Sequence, residues 1–297
     1  MKITIAGGSG FLGSHLRKHF QNSGHEVLVL TRKPKQKGDI AWNGSNTGKW
    51  CEEIDGSEIL INLSGKSVDC RYSDKNKMAI LSSRIQPTFT LHDYILQAKK
   101  KPRVWLNASS ATTYIHAETE LMTENHGRIG DDFSMNICKE WEKAFFARTI
   151  PEMRQVALRT SIVLGSNGGA FPKLKLVTKV GLGGHQGSGI QKVSWIHIED
   201  FCRAIDFIIK KERLSGAINV TAPNPISNKK LMELIRKYSK VPFGLNQPVA
   251  LLEIGAALIG TETELLLKSR NVYPEKLINE GFQFNFPKVS EAIDALS

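Results

Sequence analysis

The chain reads as an α/β protein: a doubly wound, mostly parallel sheet with a small, mainly helical lid at its carboxyl end. Three observations predict it. An apolar run, a glycine loop, a helical face and a second apolar run follow one another within the first 31 residues. Buried-type strands then alternate with amphipathic helices as far as residue 165. Beyond that point the pattern gives way to a glycine-rich stretch and a proline-punctuated helical tail.

The elements follow in order. MKITIA at 1–6 is a strand, and GGSGFLG at 7–13 is the loop that leaves it. Leu12, Leu16 and Phe20 share one helical face, which Ser23-Gly24 ends. EVLVLT at 26–31 completes a βαβ unit. EILINLS at 58–64 is the next strand. A helix is predicted over 74–100, with Met78, Leu81 and Ile85 and then Leu91, Ile95 and Ala98 on its apolar face. Pro87 is expected to kink or split it. RVWLNAS at 103–109 is a buried strand, and Phe133, Ile137, Trp141 and Phe145 mark a helix over 133–149. VALRTSIVLG at 156–165 and INVTAP at 218–223 read as two further strands. Prolines at 225, 242, 248, 274 and 287 punctuate the remainder. The expected division is a sheet domain over 1–222, with a glycine-rich excursion at 165–195 towards the lid, and a lid over 223–297.

Composition narrows the function. The 40 basic and 29 acidic residues leave a net charge of +11. The cations lie in short pairs with no run of five, so a nucleic-acid partner is not expected. The longest apolar run, VALLEIGAALIG at 249–260, contains Glu253 and falls short of the roughly 20 residues that span a bilayer. No membrane partner is expected, and residues 1–6 carry no leader pattern. The cysteines at 51, 70, 138 and 202 form no C-x-x-C, and no H-E-x-x-H occurs. No metal is expected, and reduced thiols point to the cytoplasm.

The glycine loop carries the strongest chemistry. Gly8, Gly10 and Gly13 satisfy G-x-G-x-x-G directly after a strand and at the start of a helix. An early glycine permits the sharp turn, the middle one lets a pyrophosphate approach the backbone, and the last lets helix and strand pack closely. The helix N-terminus then offers free N–H groups to the phosphates. At the end of the second strand stand Thr31, Arg32 and Lys33 rather than Asp or Glu. Two cations and a hydroxyl suit a 2′-phosphate, so NADP(H) is expected ahead of NAD(H). Asn62, Leu63, Ser64 and Gly65 end a central strand and allow close cofactor approach. NASSATTY at 107–114 places several hydroxyls at the same edge, where one could polarise a carbonyl or carry a proton.

GGSGFLG, NLSG and NASSATTY together resemble the extended short-chain dehydrogenase/reductase (SDR) superfamily of nucleotide-sugar epimerases and dehydratases. GKSVDCRYSDKNKMAILSSRI at 65–85, GLGGHQGSGIQKVSWIHIED at 181–200, NVTAPNPISN at 219–228 and VYPEKLINEGFQFNFP at 272–287 resemble its atypical epimerase-family subgroup. The resemblance covers nearly the whole chain and implies an NAD(P)-binding Rossmann fold. It implies cofactor contacts from Gly7, Gly8, Ser9, Gly10, Phe11, Leu12 and Gly13, and from Thr31, Arg32, Asn62, Leu63, Ser64, Gly65, Ala108 and Ser109. Thr160, Ser161 and Ile162 would flank the nicotinamide. Arg84 is expected among the cofactor contacts, and Arg84 and Arg71, near helix starts facing the crevice, could hold an anionic substrate. Ser110 matches the superfamily's catalytic Ser/Thr, four residues before Tyr114. A homodimer is also common among relatives.

One departure matters. The superfamily carries Tyr-x-x-x-Lys on the helix after the serine strand, with a Glu four residues beyond the Lys. With Glu142 as that Glu, Ser134 stands for the Tyr and Cys138 for the Lys. Neither does the same chemistry. Tyr114, Glu118 and Glu124 are the other candidates for proton transfer, with Ser110 the best-placed hydroxyl. Two functions therefore stay open. One is an epimerase or oxidoreductase transferring hydride to or from a nucleotide-sugar-like or other small polar substrate. The other is a catalytically silent NADP(H)-binding protein acting through a protein partner, as a cell-division inhibitor would.

Overall fold

The computed structural model of the chain describes residues 1–259 and 262–296. The amino-terminal elements are β1 (Lys2–Ala6), α1 (Phe11–Asn22), β2 (Glu26–Thr31), β3 (Asp39–Ala41), α2 (Trp50–Ile54), β4 (Ile59–Asn62), α3 (Asp74–Gln97), β5 (Val104–Ser110), α4 (Phe133–Phe146) and β6 (Arg154–Thr160). Then come β7 (Ile162–Gly165), β8 (Gly168–Gly169), α5 (Phe171–Val177), β9 (Lys192–Val193), β10 (Trp195–His197), α6 (Ile198–Lys210) and β11 (Gly216–Val220). The tail holds β12 (Ile226–Ser227), α7 (Asn228–Tyr238), α8 (Val249–Ile259), α9 (Glu264–Leu267), α10 (Glu275–Asn279) and α11 (Val289–Leu296). Gly260, the last residue of the apolar run read from the sequence, lies outside the described residues.

Seven strands form one sheet in the order β11-β6-β5-β4-β1-β2-β3. Every neighbouring pair is parallel. Burial on both faces explains the near-continuous apolar strands. Ile3, Ile5, Ile59, Ile61, Val104 and Leu106 face a core shared with Leu16, Phe20 and the α6 residues Ile205 and Ile208. Ala6, Leu60 and Trp105 face the opposite core, with Tyr94 of α3 and Phe145 of α4. The lid has its own core, drawn from both sides of the expected boundary: Leu164, Phe171 and Trp195 pack with Leu231, Ile235 and Ile293.

Two expectations are corrected. VALRTSIVLG is two strands, not one. Thr160 is the last residue paired to β11; the N–H of Ser161 still bonds the carbonyl of Val220 at 3.2 Å, and Ile162 then pairs with Trp195 in a separate small sheet. Pro87 does not split α3, which runs unbroken for 24 residues. Proline removes a single N–H, and here its ring is buried. The hydroxyls of Thr88 and Thr90 bond the carbonyls of Arg84 and Gln86 at 2.7 and 3.0 Å, so the surrounding turns stay tied.

No helix among the described residues is long and apolar enough to cross a membrane. All four cysteines are free thiols.

Candidate functional site

Parallel pairing brings the carboxyl ends of β1, β2, β4, β5 and β6 to one edge of the sheet. Ala6 is in register with Leu30 and Asn62, Asn62 with Asn107, and Ser110 with Thr160. A crevice at this edge is where ligands of open α/β sheets bind.

The glycines of the loop do different work. Gly7 has φ +70°, and a Cβ there would sit 2.8 Å from the backbone of Ser64. A Cβ on Gly13 would lie 2.4 Å from Gly8, so α1 could not pack on β1 with any other residue. Gly10 differs: a Cβ there would meet no protein atom within 4 Å, and its φ of −85° suits any residue. Its backbone starts α1, and no side chain caps that end. Protein packing therefore explains Gly7 and Gly13 but not Gly10, whereas close approach by a ligand explains Gly10. Ser9 is exposed, and Leu12 packs on the core beneath the loop. Phe11 lies against the glycine turn at 165–169, where a Cβ on Gly165 or Gly168 would come within 2.5 Å of its ring. These glycines of the excursion are needed for close packing.

At the end of β2, Thr31 is buried while Arg32 and Lys33 are exposed. Arg32 lines a shallow cleft with Trp42, Asn43, Asn46 and Thr47. No carboxylate among the described residues pairs with it, so its charge is available. At the end of β4 the amide of Asn62 spans to β5, donating to Asn107 Oδ1 at 2.7 Å and accepting from the N–H of Ser64 at 3.0 Å. Asn62 is thus a buried lock that shapes the turn. The hydroxyl of Ser64 is buried beside the glycine loop without a partner. The open space at Gly10, the uncapped helix, the unpartnered Ser64 hydroxyl and the unpaired Arg32 together fit a dinucleotide. Phosphates need N–H donors and a cation and tolerate no side chain at the approach.

The ends of β5 and β6 are built differently. Ser109 donates to Glu142 Oε1 at 2.6 Å. Arg159 clamps the same carboxylate, Nε to Oε1 at 2.9 Å and Nη2 to Oε2 at 2.7 Å. Arg159 also donates to the hydroxyl of Tyr114 at 2.9 Å, and Tyr114 donates to Asn219 at 2.9 Å. Glu124 accepts from the N–H of Asn219 at 2.9 Å and from that of Lys276 at 3.4 Å. Burial opposes the charge on Arg159, yet the Glu142 carboxylate and the Tyr114 hydroxyl hold its pKa above the ordinary arginine value. Burial raises the pKa of both Tyr114 and Glu124.

This geometry bears on the proton-transfer candidates. Tyr114 is fully buried, and its hydroxyl both accepts and donates. Glu124 has both oxygens on backbone N–H groups. The structure therefore places these two in a strut joining β5, β6 and β11 to the lid, rather than at an open edge. Ser110 caps a short 3₁₀ turn at 111–113, accepting from the N–H of Thr112 at 3.1 Å and donating to its hydroxyl at 3.0 Å. It remains partly exposed. Ala108 belongs to the same strand end; Thr160 ends β6, Ser161 follows it, and Ile162, the first residue of β7, is 37% exposed.

On α4, Ser134 bonds Asp132 and Glu264, and Cys138 is buried, its thiol pushed up to about 12 by burial first and by the Glu142 charge second. A thiol so raised is no nucleophile at neutral pH. Arg84 lies 3.3 Å from where a Cβ on Gly65 would stand and stacks on the Trp141 ring at 5.0 Å. Arg71, by contrast, is exposed and pairs with Glu262. His197 and Trp195 are buried: His197 caps α6 and packs on Phe286, and Trp195 bonds the carbonyl of Asn224.

The Arg159–Glu142 clamp and Asn219, the acceptor of Tyr114, escaped sequence reasoning. One signal was present. An arginine inside the buried strand VALRTS demands a carboxylate partner.

Fold and crevice define a nucleotide-binding α/β protein with a helical lid. The chain belongs to the NAD dependent epimerase/dehydratase family, whose model matches residues 3–221; a domain of unknown function (DUF1731) matches residues 248–296. The epimerase family protein YfhF of Bacillus subtilis is 32% identical over 301 residues, covering 100% of this chain and 98% of its own. The crystal structure of human epimerase family protein SDR39U1 (isoform 2) with NADPH is similar at a TM-score of 0.88 and 28% identity, covering 100% of this chain and 99% of that one. A nucleoside-diphosphate sugar epimerase from Corynebacterium glutamicum is similar at a TM-score of 0.81 and 28% identity, over 99% of this chain and 57% of that one.

Proposed function

We propose that the chain is an NADP(H)-dependent oxidoreductase or epimerase acting on a nucleotide-sugar-like or other small polar substrate. The observation that carries this reading is the contrast at the loop, where Gly10 alone lacks a packing reason to be glycine. The NADPH in the human relative's structure and the epimerase name of the Corynebacterium structure support it. None of the three relatives named above points by name to cell division.

When bound, the nicotinamide supplies a hydride acceptor or donor at C4. The chain's own residues do the rest. The N–H groups at Gly10 to Gly13 hold the pyrophosphate, and Arg32 with Thr31 takes the 2′-phosphate. Ser64 and Gly65 admit the ribose, and Thr160, Ser161 and Ile162 flank the ring. Ser110, whose hydroxyl donates to Thr112 in the free protein, would turn it to the substrate oxygen. The Arg159–Glu142 clamp fixes Ser109 beside it, so the strand end keeps its shape.

Mass spectrometry of ligand retained on purification tests the cofactor, and NADP(H) is expected. A panel of nucleotide sugars and carbonyl metabolites, read by the reduced-nicotinamide absorbance, tests the chemistry. Turnover of at least one compound by wild-type protein, lost in Ser110→Ala, is the expected result.

A further inference from the structure

The lid carries a surface that the reading above does not use. Phe171 and Leu174 of α5 pack into the lid core with Leu231 and Ile235 of α7. The outer side of α5 is uncovered. Leu176 and Val180 lie four positions apart, Val180 in the turn Thr178–Leu182 that follows the helix, and both face outwards. A second strip runs alongside. The N–H of Leu245 donates to the carbonyl of Gly181 at 2.9 Å, and the N–H of Gly184 to the carbonyl of Leu245 at 3.1 Å. The ring of Phe243 is thereby brought within 3.7 Å of where a Cβ on Gly181 would stand. Leu176, Val180, Phe243 and Leu245 are 62–65% exposed, and Leu182 and Val249 are exposed beside them. Single exposed apolar side chains need no explanation, but neighbouring ones on two paired segments do.

The charge around this surface is one-sided. Ser166 to Ile198 carries four lysines and no acid, and Lys229 to Lys240 adds five cations against Glu233 alone. Lys173 is engaged by Asp69 and Lys230 by Glu233. Lys179, Lys237 and Lys240 are exposed, and like Lys175 they pair with no carboxylate among the described residues. An open groove of about 440 Å³ between α5 and the end of α11 joins the two features: Phe171, Pro172, Leu176 and Leu296 line it together with Lys175 and Lys179. Against these cations the bordering helices set Glu253 of α8 and Asp294 of α11, both exposed. A second copy of the chain would bring like charge against like charge on this face. Phe243 and Leu245 stand outside any helix or strand, so the surface offers neither a free sheet edge nor one continuous helix face to a protein partner. Apolar side chains standing out among lysines suit a soft, negatively charged layer: the first enter its apolar boundary, and the second stay among its anions.

We propose that this face of the lid seats on an anionic phospholipid surface, with Leu176, Val180, Phe243 and Leu245 entering the headgroup boundary and Lys175, Lys179, Lys237 and Lys240 holding the headgroups. The sequence argued against a membrane partner from the length of its apolar runs, a measure to which a contact in the interface plane is blind. The contact does not depend on the cofactor.

The test is flotation of the full chain with vesicles of phosphatidylcholine alone and of phosphatidylcholine mixed with phosphatidylglycerol, at low and at high salt. Binding to the mixed vesicles only, weakened by salt, is expected. The paired substitutions Leu176→Ser with Val180→Ser, and separately Phe243→Ser with Leu245→Ser, should each weaken it by about tenfold or more. Lys175→Gln with Lys179→Gln should weaken it by about tenfold as well. All six side chains lie outside the cores of the sheet domain, so the melting temperature of each variant should stay close to that of wild-type protein. Wild-type protein gives a second reading without substitution: a photoactivatable phosphatidylglycerol, mapped by mass spectrometry, should crosslink to residues 176–182 and 243–249. Failure to float with the mixed vesicles overturns the proposal, even if a polyglutamate peptide binds the same lysines and so points to an acidic protein instead. Flotation indifferent to the apolar substitutions would trace it to the net charge of +11 alone and overturn it too, as would crosslinks confined to other segments.

Discussion

The two halves of the crevice face the same edge of the sheet but are finished in opposite ways. At the ends of β1, β2 and β4 the space at Gly10 is open, the helix end is uncapped, and Arg32 and the Ser64 hydroxyl have no partners. At the ends of β5 and β6 almost every polar group is satisfied, Glu142 and Arg159 being 13% and 11% exposed. Unsatisfied donors mark the place where a ligand completes the structure, and satisfied ones mark a frame. The first half is built to receive, and the second to hold its shape. Ser110, partly exposed, is among the few hydroxyls that the frame leaves accessible.

Breaking the frame should have the largest effect. Arg159→Ala leaves the Glu142 carboxylate buried and unpaired, and is expected to cost about 3–5 kcal/mol of stability by denaturant unfolding. A substitution that costs less than about 1 kcal/mol would show that the clamp is solvated and that the contrast between the halves is overdrawn.

The glycine loop offers a sharper comparison. Gly13→Ala forces a Cβ onto the Gly8 backbone and should destabilise the fold by roughly 1–3 kcal/mol as well as abolish NADPH binding. Gly10→Ala should leave the melting temperature unchanged while weakening NADPH by about tenfold or more, a loss of roughly 1.4 kcal/mol. Equal destabilisation by the two would place both glycines in packing. Arg32→Ala is expected to weaken NADPH by about tenfold, the worth of a charge-assisted hydrogen bond, and to leave NADH unaffected. An unchanged NADPH-to-NADH ratio would remove Arg32 from the site.

A smaller effect concerns pH. Burial lowers the pKa of His92 and His197 from the ordinary 6.5. Each unfolded histidine takes a proton that the folded one resists, so stability is fully present above pH 6.5 and declines as pH falls through the folded values. Thermal melts between pH 7 and 5 should show that decline, and His92→Gln should flatten it. A pH-independent melting temperature in wild-type protein would contradict the assignment.

The sequence made the amino-terminal unit legible because its signals are local. A turn glycine, a helical face and a strand end are all decided within a few residues, and EVLVLT matches β2 residue for residue. The alternation of strands and helices gave the sheet. What stayed hidden depends on contacts across the chain. Tyr114 reads as a hydroxyl at the strand end, yet Asn219, more than a hundred residues away, draws it into the core. The division of VALRTSIVLG depends on Trp195 competing for Ile162. Pro87 shows the reverse, a strong local breaker overruled by the packing around it.

The central claim is that the amino-terminal cradle binds NADP(H). Isothermal titration of the folded wild-type chain with NADPH and, separately, NADH tests it most directly. One-to-one saturation with NADPH, at least about tenfold tighter than with NADH, is the predicted result. Absence of saturable heat with both dinucleotides would contradict it.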